Sequence, residues 1–376
     1  MTRRADELQR GDRVAVHWLA AIAALPFVIA GIRDLATRGT IGLTGDLALE
    51  DGAVRQAMEF HRTLGAYDRF GWHHAGPGIF YVMAIPSWVF GSGVQAEAAG
   101  IVVLCAVLSG AVVYAYGRVW GFPGALAACV GMLTWIGVNV VHPAFGPATN
   151  PLGFFGSIWN PYVSIFSTFA TVAFTVCLLA EDERSLGWMF FAGTIAVQAH
   201  IATLLPIALC GMAALVKVLT SQRRERREWF RNSGGAMGIV ALVLWLPPIT
   251  NALLRSGGNL RKIFDFFSAA NSSHTWSFIK FGTIDATSYG TQLFSSTNFP
   301  LLGQGNFTGA FLVLVMAPVV VALSIGIVEA NPLLLYSGCA QLLIIAAAAV
   351  SMADISGATF RYLVAWAKRG TGNVSH

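Results

Sequence analysis

The chain has 376 residues, enough for about two or three soluble domains. Only 11% of its residues are charged, whereas an ordinary soluble protein has about 25%. Hydrophobic residues make up 55% and include 25 Phe and 11 Trp, more apolar side chain than one water-surrounded core buries. These values exclude an ordinary soluble enzyme and predict a polytopic membrane protein. The net charge of +5 lies largely in short basic clusters without interleaved stacking aromatics, so nucleic acid is not an expected partner.

Apolar stretches long enough to cross about 30 Å of hydrocarbon follow one another along the chain. The stretch 187–219 is too long for one straight helix and contains Gln198, His200 and Pro206, which predicts two shorter helices that meet at a polar break. Counting this stretch twice gives about ten crossings, within a single transmembrane domain over 1–376. The other stretches are 14–32, 77–93, 99–117, 122–141, 160–180, 236–254, 308–328 and 331–352.

Two basic clusters place a condition on this count. The cluster 223–228 and the N-terminus are both expected on the cytoplasmic side, but an odd number of crossings between them would put them on opposite sides. Either 187–219 is one bent helix, or 77–93 lies along the membrane or re-enters it. We favour the second interpretation, because Gly76–Pro77–Gly78 begins that stretch, Pro86 interrupts it, and such residues are tolerated where protein covers the backbone.

Two polar segments, 33–76 and 255–307, are too long to be simple connections. The first brings carboxylates, arginines and imidazoles together just after an apolar helix. A poorly solvated carboxylate at the bilayer edge can act as a general base, and neighbouring cations can hold a phosphate. The second combines Asn259 and Arg261 with several Phe, which suits a lipid phosphate with a sugar face. A solvated loop and an interfacial anchor, respectively, would have the same compositions.

Other polar positions leave alternatives open. Gln198 and His200 lie in apolar surroundings, where polar side chains either line a cavity or form hydrogen bonds between helices. His73 and His74 are adjacent and therefore point apart, and the spacing fixes no third metal ligand. No cofactor is predicted, and a divalent metal is left open. All five cysteines fall within apolar runs and are expected to be small buried hydrophobes. The absence of GxSxG, HExxH, P-loop and Rossmann motifs argues against hydrolase, protease and nucleotide-driven functions.

Several short motifs occur in an order that resembles a family of largely actinobacterial glycosyltransferases of the GT-C type. The resemblance extends from about residue 14 to the end of the chain. Its motifs are Gly45–Leu49 with Asp51 and Val54–Arg55, Gly65 with Tyr67 and Arg69–Trp72, His74 with Gly76–Pro77, Trp159–Pro161, Gln198–His200, Trp245–Pro248, Gly258–Leu260, and Ser356–Gly357 with Tyr362–Leu363 and Trp366.

The resemblance implies an all-α integral membrane bundle of about ten transmembrane helices, with re-entrant or juxtamembrane helices in the first outer loop, 33–76. It also implies a multi-pass protein of the bacterial plasma membrane with its active site on the outer face and a large outer loop at 255–307. Such enzymes transfer a sugar from a polyprenyl-phosphate donor, usually with inversion, to a polysaccharide, glycolipid or protein acceptor.

The same resemblance implies roles for individual residues. Asp46 is expected to be the general base, with Asp51 at the place of a second acid. Arg55, Arg69 and His74 are expected to hold the donor phosphate. The residues expected to bind substrate are Trp159, Asn160, Gln198, His200, Asn259 and Arg261. The alternative function is a non-catalytic protein that binds or transports a lipid carrier, in which the acids of the first loop are simply solvated.

Overall fold

A computed structural model gives the chain an all-helical fold over the residues that it describes, with no strand among them. The basic cluster 223–228, the segment 270–307 and the motifs after Ser356 lie outside the described residues, as does the start of the stretch 308–328. All of the residues predicted above to form the site lie inside. The described ranges are 2–36, 45–141, 153–221, 235–255, 258–269 and 316–353.

The helices of the described ranges follow the apolar stretches closely, and two additional helices lie in the polar segments 33–76 and 255–307. Short 3-10 turns cover Gly153–Gly156 and Ile201–Thr203. In chain order the α-helices are α1 (Thr2–Ala36), α2 (Asp46–Met58), α3 (Gly78–Phe90), α4 (Val94–Val141), α5 (Asn160–Leu179), α6 (Ser185–Ala199), α7 (Leu204–Thr220), α8 (Gly235–Leu254), α9 (Gly258–Ala269), α10 (Ala317–Val328) and α11 (Pro332–Ala353).

Four helical segments of the described residues are long and apolar enough to cross a membrane: Gly11–Ala36, Val94–Gly137, Asn160–Leu179 and Ile201–Thr220. A fifth candidate is the pair formed by α8 and α9, which are bent by 82° relative to each other. The chain is thus an all-α protein with four or five helices capable of spanning a membrane in its described part. The count of about ten crossings stays a prediction.

The helix α4 contains both of the predicted stretches 99–117 and 122–141. They meet at Gly121, whose backbone has φ 64° and ψ −156°, a conformation that only glycine adopts without strain. Pro123 follows at the start of the second half, where its ring does not interrupt an established helix. The boundary predicted between the two stretches is therefore present as a kink.

The stretch 187–219 forms two helices, as predicted, with the break at His200. That residue has extended backbone angles, φ −151° and ψ 121°, and its Nδ1 accepts a hydrogen bond from the Ala202 N–H at 3.3 Å. Pro206 lies in the first turn of α7 rather than at the break. The first turn of a helix tolerates a residue without an N–H, so Pro206 does not interrupt α7. The helix α3 has only 13 residues, a length of roughly 20 Å, which fits the expectation that 77–93 is not a full crossing.

The core of the fold is an aromatic cluster between α1, α4 and α5. Phe27 meets Phe155 and Phe166 edge to face, with ring centroids 5.6 and 5.5 Å apart, and Trp135 stacks on Phe166 at 5.6 Å. Four of the five cysteines are buried as expected, but Cys339 is exposed. That expectation was wrong for Cys339 because an apolar helix in a membrane protein keeps a lipid-facing side, so an apolar neighbourhood in sequence does not imply burial in protein.

Two adjacent acids in the turn between α5 and α6 form ion pairs of different burial. Asp182 binds the Arg118 guanidinium through two contacts, at 3.0 Å from Nε and 2.5 Å from Nη2, and both side chains are largely buried. Glu181 pairs with Lys217, but its side chain is 73% exposed.

We expect Asp182→Asn to destabilise the protein by about 3 kcal/mol, because it leaves a buried guanidinium without its counter-charge.

The matched control is Glu181→Gln. The Glu181–Lys217 pair is open to solvent on the Glu181 side, and solvent-exposed pairs contribute about 0–1 kcal/mol. Thermal unfolding of the detergent-solubilised variants checks the difference. Equal melting temperatures for the two variants would show that the Arg118–Asp182 pair does not stabilise the fold.

Candidate functional site

The first polar segment contains a helix, α2, that presents carboxyl groups on two sides. It begins at Asp46, directly after Gly45 (φ 57°), and an acidic residue in the first turn is favoured by the helix dipole. Asp46 and Glu50 are one helical turn apart and therefore lie on the same side of α2. Asp51 lies on another side, next to Glu97 of α4.

A cavity of about 330 Å³ lies beside α2. Ala53 and Gln56 continue the row of α2 residues that line it, and Phe80 of α3 provides an apolar part of the wall. The cavity is large enough for a sugar ring, since ligand pockets usually measure about 300–1,000 Å³. Its charged and polar lining consists chiefly of Asp46, Glu50, Arg62, Tyr67, His73 and Asn160.

Glu50 is the buried acid of this cavity, with only 3% of its surface exposed. The backbone N–H of Asn160, at the start of α5, donates to its carboxyl, but the oxygen Oε2 has no partner among the described residues. Burial raises the pKa of Glu50 to about 8, and the nearby charge of Asp46 contributes in the same direction. Glu50 is therefore largely protonated at neutral pH.

Arg62 is the half-buried cation of the cavity. Its Nε donates to the Leu64 carbonyl at 2.6 Å, and its two Nη atoms donate to the Gly65 carbonyl at 2.5 Å and to Gln56 Oε1 at 3.2 Å. A guanidinium has five N–H donors, so these bonds fix its plane and leave two donors for other acceptors. Desolvation lowers the pKa of Arg62. The pKa of an arginine side chain is so far above neutral pH that the guanidinium nevertheless keeps its charge.

The loop that carries His73 is held in place by Asn259 of α9. The Asn259 amide accepts from the His73 N–H at 2.7 Å and donates to the His73 carbonyl at 2.6 Å, so one side chain satisfies both backbone groups, as a neighbouring strand would. The Asn259 N–H donates in turn to Asn251 Oδ1 at 3.0 Å. Desolvation, with the charges of Arg62 and Lys262, lowers the pKa of His73 to about 4, so the imidazole that faces the cavity is neutral.

His74, Gln198 and His200 join three helices behind the cavity. His74 Nδ1 accepts a hydrogen bond from the Ile201 N–H at 3.1 Å, and its ring lies 4.6 Å from that of His200. Gln198 accepts from the Gly78 N–H and donates to the Leu244 carbonyl, both at 2.9 Å. Of the two alternatives for Gln198, the structure shows the hydrogen bonds between helices. None of the three residues lines the cavity.

Asp51 and Arg55 form a separate pair outside the cavity lining. The Arg55 Nε lies 2.9 Å from Asp51 Oδ2, and the Asp51 carboxyl lies next to that of Glu97, a proximity that disfavours two negative charges. Desolvation raises the pKa of Asp51, but the interactions with Arg55 and Glu97 outweigh it, and the pKa lies below its usual range.

The remaining predicted residues lie at the surface or at a helix start. The Arg69 guanidinium lies 4.8 Å from the centre of the Phe70 ring, and Arg261 pairs with Asp265 at 3.7 Å with both side chains exposed. Trp159 precedes α5 and contacts Tyr162, whereas Asn160 begins α5 and donates from its side chain to the Ala199 carbonyl at 2.9 Å. Of these, only Asn160 reaches the cavity.

The cavity therefore unites Asp46 and Asn160, which were predicted, with Glu50, Arg62, Tyr67 and His73, which were not in the predicted site. The four-residue spacing of Asp46 and Glu50 was a signal for the first of these, because it places two carboxyls on one side of a helix. No spacing linked Arg62 or His73 to α2, since they reach the cavity through an irregular loop.

Comparison of the chain with family models, curated proteins and solved structures finds no match. Within the described residues, no group of three His, Cys, Asp or Glu side chains is arranged to hold a metal ion. The residues of the cavity combine an exposed carboxyl, a buried carboxyl, a guanidinium and a neutral imidazole.

The Asn259 contacts predict a local effect of Asn259→Ala. Removing the amide leaves the His73 N–H and carbonyl without their partners, so hydrogen exchange at the His73 amide should become at least about tenfold faster. Hydrogen exchange followed by mass spectrometry on peptides covering 66–74 measures this. Asn331→Ala, which removes a distant helix cap at α11, should leave those peptides unchanged. Unchanged exchange in Asn259→Ala would show that other contacts hold the loop.

The buried Glu50 predicts a pH-dependent effect of Glu50→Gln on stability. The folded protein holds the Glu50 proton more tightly than the unfolded chain, because the pKa rises from 4.5 to about 8 on folding. The contribution of Glu50 to stability is thus fully present at low pH and is lost as the pH rises through this range. The melting temperature of the wild type, relative to that of Glu50→Gln, should fall between pH 5 and pH 8. A constant difference would contradict the raised pKa.

Proposed function

We propose that the protein is a GT-C-type glycosyltransferase that transfers a sugar from a polyprenyl-phosphate carrier to a cell-envelope acceptor. The observation that carries this proposal is the lining of the cavity beside α2, where the exposed Asp46 and the cation Arg62 occur together. A carboxylate and a guanidinium at one cavity are what an inverting transfer from a lipid phosphate needs. Apolar helices capable of spanning a membrane suit a polyprenyl chain. No family or structural match supports the proposal, which rests on the cavity and on the sequence resemblance.

The proposed reaction gives each side chain one task. The Asp46 carboxylate accepts the proton of the acceptor hydroxyl while that oxygen forms a bond to the anomeric carbon. The bond between the anomeric carbon and the phosphate oxygen breaks with its electron pair going to the phosphate. The two remaining N–H donors of Arg62 bind the departing phosphate by charge-assisted hydrogen bonds. The neutral His73 can add a hydrogen bond without adding charge.

The proposal assigns supporting roles to several residues in the motifs that resemble the GT-C family. Gln198 and Asn259 position the backbone on either side of His74, and Asn160 holds Glu50. Arg62 takes the phosphate role because it lines the cavity, whereas Arg55 is engaged by Asp51. The proposed setting is a multi-pass protein of the bacterial plasma membrane with the cavity on the outer face.

Asp46→Asn tests the proposed base. It keeps the size of the side chain but cannot accept the proton, so transfer should fall by about 10²- to 10⁴-fold with little loss of stability. The measurement is transfer by the purified protein from a panel of radiolabelled polyprenyl-phosphate sugars to envelope acceptors. Glu59→Gln is the matched control, because Glu59 follows α2 directly and is exposed outside the cavity.

Transfer that is equal in Asp46→Asn and the wild type would contradict the role of Asp46. No transfer from any donor by a folded protein that still binds polyprenyl phosphate would contradict the enzyme and favour the second candidate, a carrier-binding or transport protein. Glu59→Gln should behave as the wild type in either case.

A further inference from the structure

The cavity contains a polar atom that the described protein does not satisfy. Glu50 Oε2 is buried and has no hydrogen-bond partner, whereas the carboxyl as a whole receives the Asn160 N–H. Leaving a buried oxygen unpaired is energetically costly, so such atoms are rare and usually face a ligand or water. Glu50 is part of the cavity wall, so the unsatisfied oxygen belongs to a residue that a bound ligand contacts.

The position of Glu50 is fixed by the start of α5. The N–H of Asn160 belongs to the first turn of that helix, where backbone N–H groups have no partner within the helix. The Asn160 side chain is itself tied to the Ala199 carbonyl at 2.9 Å. The Asn160 N–H thus holds the Glu50 carboxyl at the start of α5, and a group positioned in a cavity wall can discriminate between ligands.

The charges around Glu50 favour its neutral form in a cavity that receives an anion. Asp46 lies one turn away on α2, and Glu97 of α4 also acts on Glu50, whereas Arg62 is the nearby cation. If both Asp46 and Glu50 were ionised, two negative charges would line the cavity against one positive charge, and they would repel a phosphate. Burial already keeps the pKa of Glu50 near 8.

We propose that Glu50 acts as a neutral carboxylic acid whose buried oxygen donates a hydrogen bond to a hydroxyl oxygen of the carrier-linked sugar. The inference rests on the proposed function and names the residue that recognises the sugar, apart from the base and the phosphate site. In this role Glu50 transfers no proton. It holds the sugar through a donor, which an ionised carboxylate cannot provide.

Two substitutions at Glu50 separate a donor from a carboxylate. Glu50→Gln keeps the size and the neutral state and offers an N–H in place of the O–H. Glu50→Leu keeps a similar volume and removes the hydrogen bond. Glu59→Leu is the control for a lost carboxyl outside the cavity. Melting temperatures of all three establish that the variants are folded.

The experiment measures binding of two probes, bare polyprenyl phosphate and the same lipid carrying a sugar, taken from the panel used for transfer. Glu50→Leu should bind the sugar-loaded lipid about tenfold more weakly than the wild type, the loss expected for one hydrogen bond, and should bind the bare lipid normally. Glu50→Gln should bind both lipids as the wild type does. Above about pH 9 the wild type should lose the sugar-dependent part of its affinity, because Glu50 ionises, whereas Glu50→Gln should keep it.

Two results would overturn the inference. An equal loss in Glu50→Gln and Glu50→Leu would show that the ionised carboxylate is required, and normal binding of the sugar-loaded lipid by Glu50→Leu would show that Glu50 does not contact the sugar. If Glu50→Leu does not fold, the pH dependence of the wild type against Glu50→Gln decides, and identical profiles reject the donor role.

The role of Glu50 and the proposed enzymatic function can be rejected independently of each other. Transfer by the wild type with unchanged binding in both Glu50 variants would reject the role of Glu50 and leave the enzyme intact. Sugar-dependent binding that needs Glu50, without transfer from any donor, would reject the enzyme and leave the recognition site. Failure of both lipids to bind the wild type would reject both.

Discussion

The need to pair buried backbone groups governs the arrangement of the cavity. The loop between α2 and α3 is irregular, and its N–H and carbonyl groups cannot be left unpaired inside a bundle of apolar helices. Two side-chain amides solve this problem. Asn259 pairs with both backbone groups of His73, and Gln198 accepts from the Gly78 N–H. These bonds connect the loop to α9 and α6, and so they decide which loop side chains face α2.

The arrangement of acids on α2 follows from helix geometry and has chemical consequences. Asp46 and Glu50 face the cavity, while Asp51 lies next to Glu97 of α4 and pairs with Arg55. On α2 itself each buried acid is either protonated, as Glu50 is, or paired, as Asp51 is with Arg55. Of the acids on α2, only Asp46 is exposed.

The sequence allowed most helices to be predicted because their signals are local. The apolar stretches predicted the helices and the boundary that is now the kink in α4 at Gly121. The polar residues around His200 predicted the break between α6 and α7. The membership of the cavity was harder to predict. Arg62 and His73 reach it through a loop whose path depends on Asn259, 186 residues further along the chain than His73. Neither the periodicity of hydrophobic residues nor the spacing of motifs predicts contacts between residues so far apart in the sequence.

The assignment of Asp51 as the second acid shows the same limit within one helix. It came from the resemblance alone and made no use of the helical period, which separates Asp51 from Glu50 onto different sides of α2. The helical period places Asp46 and Glu50 on the same side of α2, and burial then distinguishes the exposed Asp46 from the buried Glu50. Two carboxyls one turn apart differ in solvent access, and it is such differences in environment that allow one acid to work ionised and the other neutral in the same site. For this chain the exposed position falls to Asp46 and the buried one to Glu50, so the two acids suit different tasks in one cavity.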